Sequence, residues 1–210
     1  ILTNPGHAKI EPLGLKPQGY HLVVARFEPE NHVIEIVRGY ARSSAQFPLV
    51  VVGSAPYADD YTAAIEELAK HDERIHLLGG VWDQEQLDQL YANTVNYLHG
   101  HSVGGTNPSL LRAMGAGCHV SAWDVSFNRV VLGESGRFFA DESQAAELID
   151  EVEAGFANDR AAHSQRAESL QRRAAETYRW DEVSAAYLSL AQRLHARDLA
   201  RPGYSGRRRS

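Results

Sequence analysis

The chain has 210 residues, 43% of them hydrophobic, and a formal charge of −6; that suffices for one ordinary core, or one core with a helical appendage, and argues against a nucleic-acid binder acting through its overall field. A lone cysteine, Cys118, excludes an intramolecular disulfide framework and fits a reducing compartment, so a cytoplasmic protein is expected. No apolar run approaches the ~20 residues of a spanning helix, and the opening ILTNPGHAKIEPLG lacks the charged start and apolar core of a signal peptide.

Residues 1–19 read as an entry segment or linker, and a start at Ile1 rather than Met points to upstream residues that have been removed. Four β-rich runs follow: YHLVVA (20–25), PLVVVG (48–53), RIHLLG (74–79) and TVNYLH (94–99). The segments between them are amphipathic, with Ala64, Ile65 and Leu68 on one face and Leu87, Leu90 and Tyr91 on another. Runs apolar on both faces that alternate with helices predict a parallel sheet covered on two sides. HVSAWD (119–124) and GRFFA (136–140) add two strands, giving an α/β, Rossmann-like sheet of about six. After residue 142 strand signals stop, and three helices are predicted: 143–158, 160–178 and 180–198, with Asp159 and Trp180-Asp181 at their starts. The last segment, 199–210, holds Pro202, Gly203 and Gly206 without apolar periodicity and reads as a basic flexible tail.

The chemistry concentrates in HGHSVGGTNPSLLRAMGAG (99–117). Gly104 and Gly105 let a ligand approach the main chain, Asn107 is a good N-cap, and Pro108 suits the first helical position. A helix start at a strand end is a ready anion site, and open sheets bind ligands beyond the carboxyl ends of their strands. On this helix Leu110, Leu111 and Met114 face the sheet, while Arg112 lies opposite, toward cleft or solvent. Arg26 ends the first strand at the same edge, where a guanidinium can grip phosphate oxygens; Gly53-Ser54 ends the second, and Gly79-Gly80-Val81 the third. Taken alone, a Gly-Gly beside a cap is also what an ordinary β-to-α turn carries. His99 and His101 share a face of the extended segment; His101, nearer the loop, is a candidate ligand contact, as a cation on a leaving phosphate or as a neutral hydrogen-bonding group. Neither the histidines nor Asp59-Asp60, a solvated helix start, offers a metal set, so no metal and no cofactor are expected.

Taken in order, LVVARFEPEN, LVVVGSAPY, LGGVWDQEQLDQLYA, YLHGHSVGGTNPSLLRAMGAG and FNRVVLGESGRFF resemble the donor-binding half of a family-4 type glycosyltransferase of the two-domain GT-B architecture, nearest to the bacterial rhamnosyltransferases. The likeness runs over residues 20–140 and resumes at YRWDEVSAAYLSL, similar to the closing helix of such enzymes. It implies a nucleotide-sugar-binding domain over 20–176 and a crossing helix over 177–198. It implies transfer of a sugar from a dTDP- or UDP-sugar, metal-independent and with retention, to a saccharide or lipid-linked acceptor in cell-surface polysaccharide synthesis. The acceptor would be held by a separate amino-terminal domain.

The resemblance puts Arg26 on the diphosphate; with His101 and Arg112, read from their positions at the loop and on the helix, Arg26 makes up the candidate catalytic residues. Asn31, Gly53, Ser54, Gly80, Val81, Ser102, Gly104, Gly105, Thr106, Asn107 and Ser109 are the candidate substrate contacts; of these the resemblance puts Gly80 and Val81 at the base and Gly104 to Asn107 on the phosphates and sugar. Four positions depart from the pattern. Asn31 stands where a lysine is usual, and Gly104 and Arg112 stand where two glutamates are usual; an arginine cannot accept the ribose hydroxyl hydrogen bonds of the second glutamate. Val130 likewise replaces an expected acid. Two other readings therefore stand beside the transferase: a nucleotide-sugar-binding module without catalysis, and a hydrolysing, epimerase-like enzyme of the same architecture. Finally, 197–210 holds five arginines and one aspartate, a basic end suited to peripheral contact with an anionic membrane surface.

Overall fold

The computed structural model describes residues 5–54 and 59–196. Six parallel strands, β1 (His21–Val24), β2 (Leu49–Val52), β3 (Ile75–Gly79), β4 (Asn96–His99), β5 (Val120–Trp123) and β6 (Arg137–Phe139), form one sheet in the order β3-β2-β1-β4-β5-β6. Helices α1 (Val33–Arg42), α2 (Asp59–Lys70), α3 (Gln84–Ala92), α4 (Pro108–Gly115) and α5 (Ser126–Leu132) link them, and α6 (Glu142–Asn158), α7 (Arg160–Thr177) and α8 (Trp180–His195) follow. The predicted Rossmann-like α/β architecture of six strands with trailing helices is what the structure shows.

The alternation along each strand explains the two layers. In β1, Leu22 points into a core with Leu90 and Tyr91 of α3, Leu110 and Met114 of α4, and Leu170 of α7, whereas Val23 points to the other face, against Val33, Ile36 and Val37 of α1 and Ile149 of α6. All of β2 is buried, as its unbroken LVVV requires. Burying each such side chain contributes about 1.5–3 kcal/mol, which anchors the helices on both faces. Gly39 lets α1 cross close to α6: a Cβ there would lie 2.7 Å from the Glu142 carbonyl oxygen and 2.8 Å from the Ala145 Cβ. Ile10 and Leu15, ahead of β1, are also in the core.

Short side chains set the helix starts. Asp83, Asn107, Asp141 and Asp159 each accept a first-turn amide, so Asp159 caps α7 as its place in the sequence suggests. Helix α8 begins at Trp180, and none of its residues is buried; Trp180, Val183, Tyr187, Leu190 and Leu194 form an apolar stripe that remains exposed. The predicted tail, 199–210, lies outside the described residues. Among those described, no helix is long and apolar enough to cross a membrane.

Candidate functional site

The chain runs from β1 outward to β3, then returns to place β4 beside β1, so the strand order reverses between these two strands and a crevice opens at their carboxyl ends. Backbone contacts lace this edge together. Ala25 N donates to the Val52 carbonyl at 3.0 Å and Gly53 N to the Gly79 carbonyl at 2.9 Å. Gly53 is required: a side chain there would run into the Ala25 carbonyl. The loops after β1 and β4 are joined in the same way. Ser102 N and Oγ both donate to the Glu30 carbonyl, at 2.9 and 3.1 Å, and Asn31 Nδ2 donates to the Arg26 carbonyl at 2.9 Å. His32, at φ 48°, stacks on Trp123 with centroids 3.6 Å apart, and its Nδ1 lies 2.8 Å from the Gly100 carbonyl.

Over this floor lies a cavity of about 640 Å³. Of the residues singled out from the sequence, Arg26, Asn31, Gly53, Ser54, Gly80 and Val81 line it from the β1, β2 and β3 ends, and His101, Gly104, Asn107 and Ser109 from the β4 end. Asn107 Oδ1 accepts from Ser109 N at 3.0 Å and Ser109 Oγ at 2.8 Å, so the cap is rigid and α4 starts at the cavity wall.

Four candidates are not in that wall. Ser102 is spent on Glu30, and Gly105 and Thr106 lie off the lining. Arg112 turns away: its Nε and Nη2 donate to Asp88 Oδ1 of α3 at 3.0 and 2.6 Å, with the guanidinium 5.6 Å from the Tyr91 ring centroid. The side of α4 opposite the apolar face is thus turned to α3 rather than to the cleft. Val130, on α5, is exposed and also off the cavity.

The structure adds residues that the sequence reading did not weigh. Glu28 and Glu30 bring two carboxylates into the wall beside Arg26, and Trp82 presents a 93% exposed indole at the β3 end. Their signal was adjacency: both glutamates flank Pro29 within four residues of Arg26, and Trp82 follows Gly80-Val81. Glu28 Oε2 lies 3.1 Å from Arg26 Nη2; the carboxylate is mostly buried and the arginine mostly exposed.

Burial, reinforced by Arg26 and opposed by Glu28 and Glu30, pushes His101 down to about 4. Its ring stacks on that of His99, whose own protonation burial holds well below the ordinary imidazole range. Near neutral pH both rings are uncharged, so of the two roles open to His101 the hydrogen-bonding one applies to the free protein. The cavity therefore combines one guanidinium, two carboxylates, a neutral imidazole, a helix start and a flat aromatic face. Such a wall can hold an anion against Arg26 and α4 while a planar group lies near Trp82. Among the described residues, no group of three or more His, Cys, Asp or Glu is arranged to hold a metal ion.

Solved structures share this fold. HepE (Alr3699) of Anabaena, crystallised with UDP-glucose, is 17% identical with a TM-score of 0.74, over 89% of this chain and 51% of that one. Sucrose-phosphate synthase of Thermosynechococcus elongatus is 20% identical with a TM-score of 0.75, over 90% of this chain and 48% of its own. The C-terminal domain of the glycosyl transferase group 1 protein LpcC of Francisella tularensis is 16% identical with a TM-score of 0.67, over 83% of this chain and 93% of that domain. The chain spans about half the length of the first two, and its fold is one half of a GT-B architecture. No curated protein sequence matches it. The family model for glycosyl transferases group 1 matches residues 8–176, from the turn that puts Ile10 in the core to the end of α7, and the chain belongs to that family.

Proposed function

We propose that this chain is the donor-binding half of a family-4 type glycosyltransferase that takes a UDP- or dTDP-sugar, with rhamnose as the sugar its resemblance favours. One observation carries the reading: the cavity at the reversal between β1 and β4 sets Arg26 opposite the start of α4. UDP and UDP-glucose in the HepE crystals support the same ligand class.

The chemistry follows from the charge that develops. Displacement at the anomeric carbon breaks its bond to the diphosphate oxygen, and the negative charge grows on the leaving nucleotide. Groups that meet that charge more strongly in the transition state than in the ground state accelerate the step. Arg26 and the capped start of α4 fill this role, with His101 donating a hydrogen bond. Trp82 and Val81 border the base. The sequence has no DxD-like pair after a strand, and Glu28 of the Glu28-Pro29-Glu30 turn faces the Arg26 guanidinium; in this reading these donors carry the charge without a metal, and retention follows from the resemblance. The acceptor, a saccharide or a lipid-linked one of cell-surface polysaccharide synthesis, needs a second domain ahead of this one. The exposed stripe of α8 suits a helix that crosses to such a domain. In this reading the domain works in the cytoplasm, at the inner face of the membrane.

Calorimetric titration with UDP and dTDP tests the assignment: binding at or below millimolar concentration is expected, and a folded sample that binds neither overturns it. A second reading, binding without transfer, is favoured by Arg112, which stands where a ribose-holding acid is expected and is tied to Asp88. Donor hydrolysis by the chain, absent after Arg26→Ala, separates the two.

A further inference from the structure

A second cavity, of about 620 Å³, opens at the amino-terminal edge of the sheet, where β4 and β5 begin against α7. Its walls include His119, His163, Arg160, Ser164 and Gln18, with Glu168 the carboxylate among them. The two imidazoles are stacked, their centroids 4.7 Å apart and the planes 12° from parallel. His119 Nδ1 lies 3.3 Å from Asn96 Oδ1, an oxygen that also accepts from Ser121 Oγ at 3.0 Å. An amide oxygen only accepts, so Nδ1 of His119 carries the hydrogen and Nε2 is the nitrogen left to take a proton. The Val95 main chain faces His163 and favours its protonated form. Arg160 is exposed and braced on Phe156, 4.4 Å from the ring centroid.

Basic groups predominate around the two rings, although two of them have acidic partners: Arg137 lies 3.6 Å from Glu151 Oε2 and His21 2.9 Å from Glu153 Oε1. Arg160 and Arg166 of α7 act on His163, and His163, Arg166, Arg137 of β6 and His21 of β1 act on His119; Glu168 is the carboxylate in the wall. Burial first, then the neighbouring ring for His119 and the arginines for both, keep both rings neutral near neutral pH, His119 down at about 3. A wall with one fixed cation, two imidazoles able to become cations and hydroxyl and amide donors is complementary to an oxyanion that accepts several hydrogen bonds at once. We propose that this cavity binds the phosphate group of a small molecule, held by Arg160, His119 and His163. The cavity exceeds one phosphate, so it has room for an organic part beside Ser164 and Gln18. The site is independent of the nucleotide cleft at the opposite edge.

Protons and anion then bind together. Phosphate favours the protonated rings, so the His163 midpoint rises when phosphate binds. The test is calorimetric titration of the chain with inorganic phosphate, against sodium chloride at equal ionic strength, with ring proton shifts of His119 and His163 followed by NMR. Phosphate is expected to move both rings, and Arg160→Gln and His163→Gln each to weaken it roughly tenfold or more. Arg160 is exposed, so its variant folds even if His163→Gln does not. Arg26→Ala keeps the effect, which separates it from phosphate held in the nucleotide cleft. Unmoved ring shifts, unchanged affinity in Arg160→Gln, or loss of phosphate binding in Arg26→Ala would each overturn the proposal.

Discussion

The imidazole of His101 lies on that of His99, centroids 4.4 Å apart and planes 11° from parallel, so a protonated His101 would sit against a ring that burial keeps neutral. His101 at about 4, and His119 at about 3 across the sheet, both titrate below the ordinary imidazole value of 6.5. Their contribution to stability is complete above 6.5. As pH falls, the unfolded chain takes protons first, and the loss accrues down to the folded values. The scale is on the order of 3 kcal/mol for such a shift. Thermal unfolding by calorimetry between about pH 8 and 5 should show the midpoint falling on the acid side, less steeply for His119→Asn. A flat profile would refute the neutral-ring account.

Arg26 is the residue on which nucleotide binding should depend most. Arg26→Ala is expected to weaken UDP by about 1.5–3 kcal/mol, the scale of a hydrogen bond to a charged group. The unfolding temperature should stay put, because the side chain is 70% exposed. Glu28→Gln should act oppositely, since the carboxylate 3.1 Å away competes with phosphate for the guanidinium. Calorimetry on the two variants reads both signs; if they move affinity in the same direction, Glu28 has some other role.

Arg112 should behave as a structural residue. Its ion pair with Asp88 joins α4 to α3, both side chains being mostly buried. Arg112→Ala is expected to lower unfolding stability by about 1–2 kcal/mol and leave UDP affinity within twofold. A variant that folds normally and loses UDP would return Arg112 to the cleft.

Arg112 also shows where sequence reading stops. The period of Leu110, Leu111 and Met114 correctly sets Arg112 on the far side of α4, and Asn107-Pro108 correctly marks where that helix begins. The partner, Asp88, is 24 residues earlier on another helix, and only the packing of α3 beside α4 brings them together. The strands were legible for the opposite reason: a run such as LVVV is apolar on both faces whatever surrounds it. The neutrality of His101 is likewise tertiary, being set by burial that no local pattern encodes. Glu28 and Glu30 lay in the quoted stretch beside Arg26, but a loop carboxylate is solvated by default. That these two enter a cavity depends on the close approach of Gly100 to the Asn31 carbonyl.

That approach, and the one at Gly53, should be intolerant of a methyl group. Gly53 sits at φ 154° with its missing Cβ aimed at the Ala25 carbonyl, between two strand ends that form the cavity floor. Gly53→Ala forces the ends of β1 and β2 apart. It should cost about 1–3 kcal/mol by overpacking and weaken nucleotide binding as well. Gly104, at φ 108° with open space around it, strains only its own backbone. Gly104→Ala should therefore lower stability less than Gly53→Ala. Equal losses in denaturant titrations would mean that the floor yields more readily than its hydrogen bonds suggest.

The last prediction concerns α8. Trp180, Val183, Tyr187, Leu190 and Leu194 repeat at intervals of three and four, which lines them along one side of the helix. Each is at least 39% exposed, and Trp180 is 82% exposed. An apolar stripe of this length is costly in water, and the crossing-helix reading requires a surface that covers it. Trp180 is a built-in reporter. In the isolated chain, the emission lost on Trp180→Phe should be that of a water-exposed indole. Joined to an amino-terminal glycosyltransferase half, the same difference spectrum should shift to the blue. Val183→Glu with Leu190→Glu should abolish that shift, leaving UDP binding to the isolated chain unaltered because α8 contributes nothing to the cavity wall. An unshifted spectrum in the joined protein would leave α8 outside the interdomain contact and remove the crossing helix from the functional account.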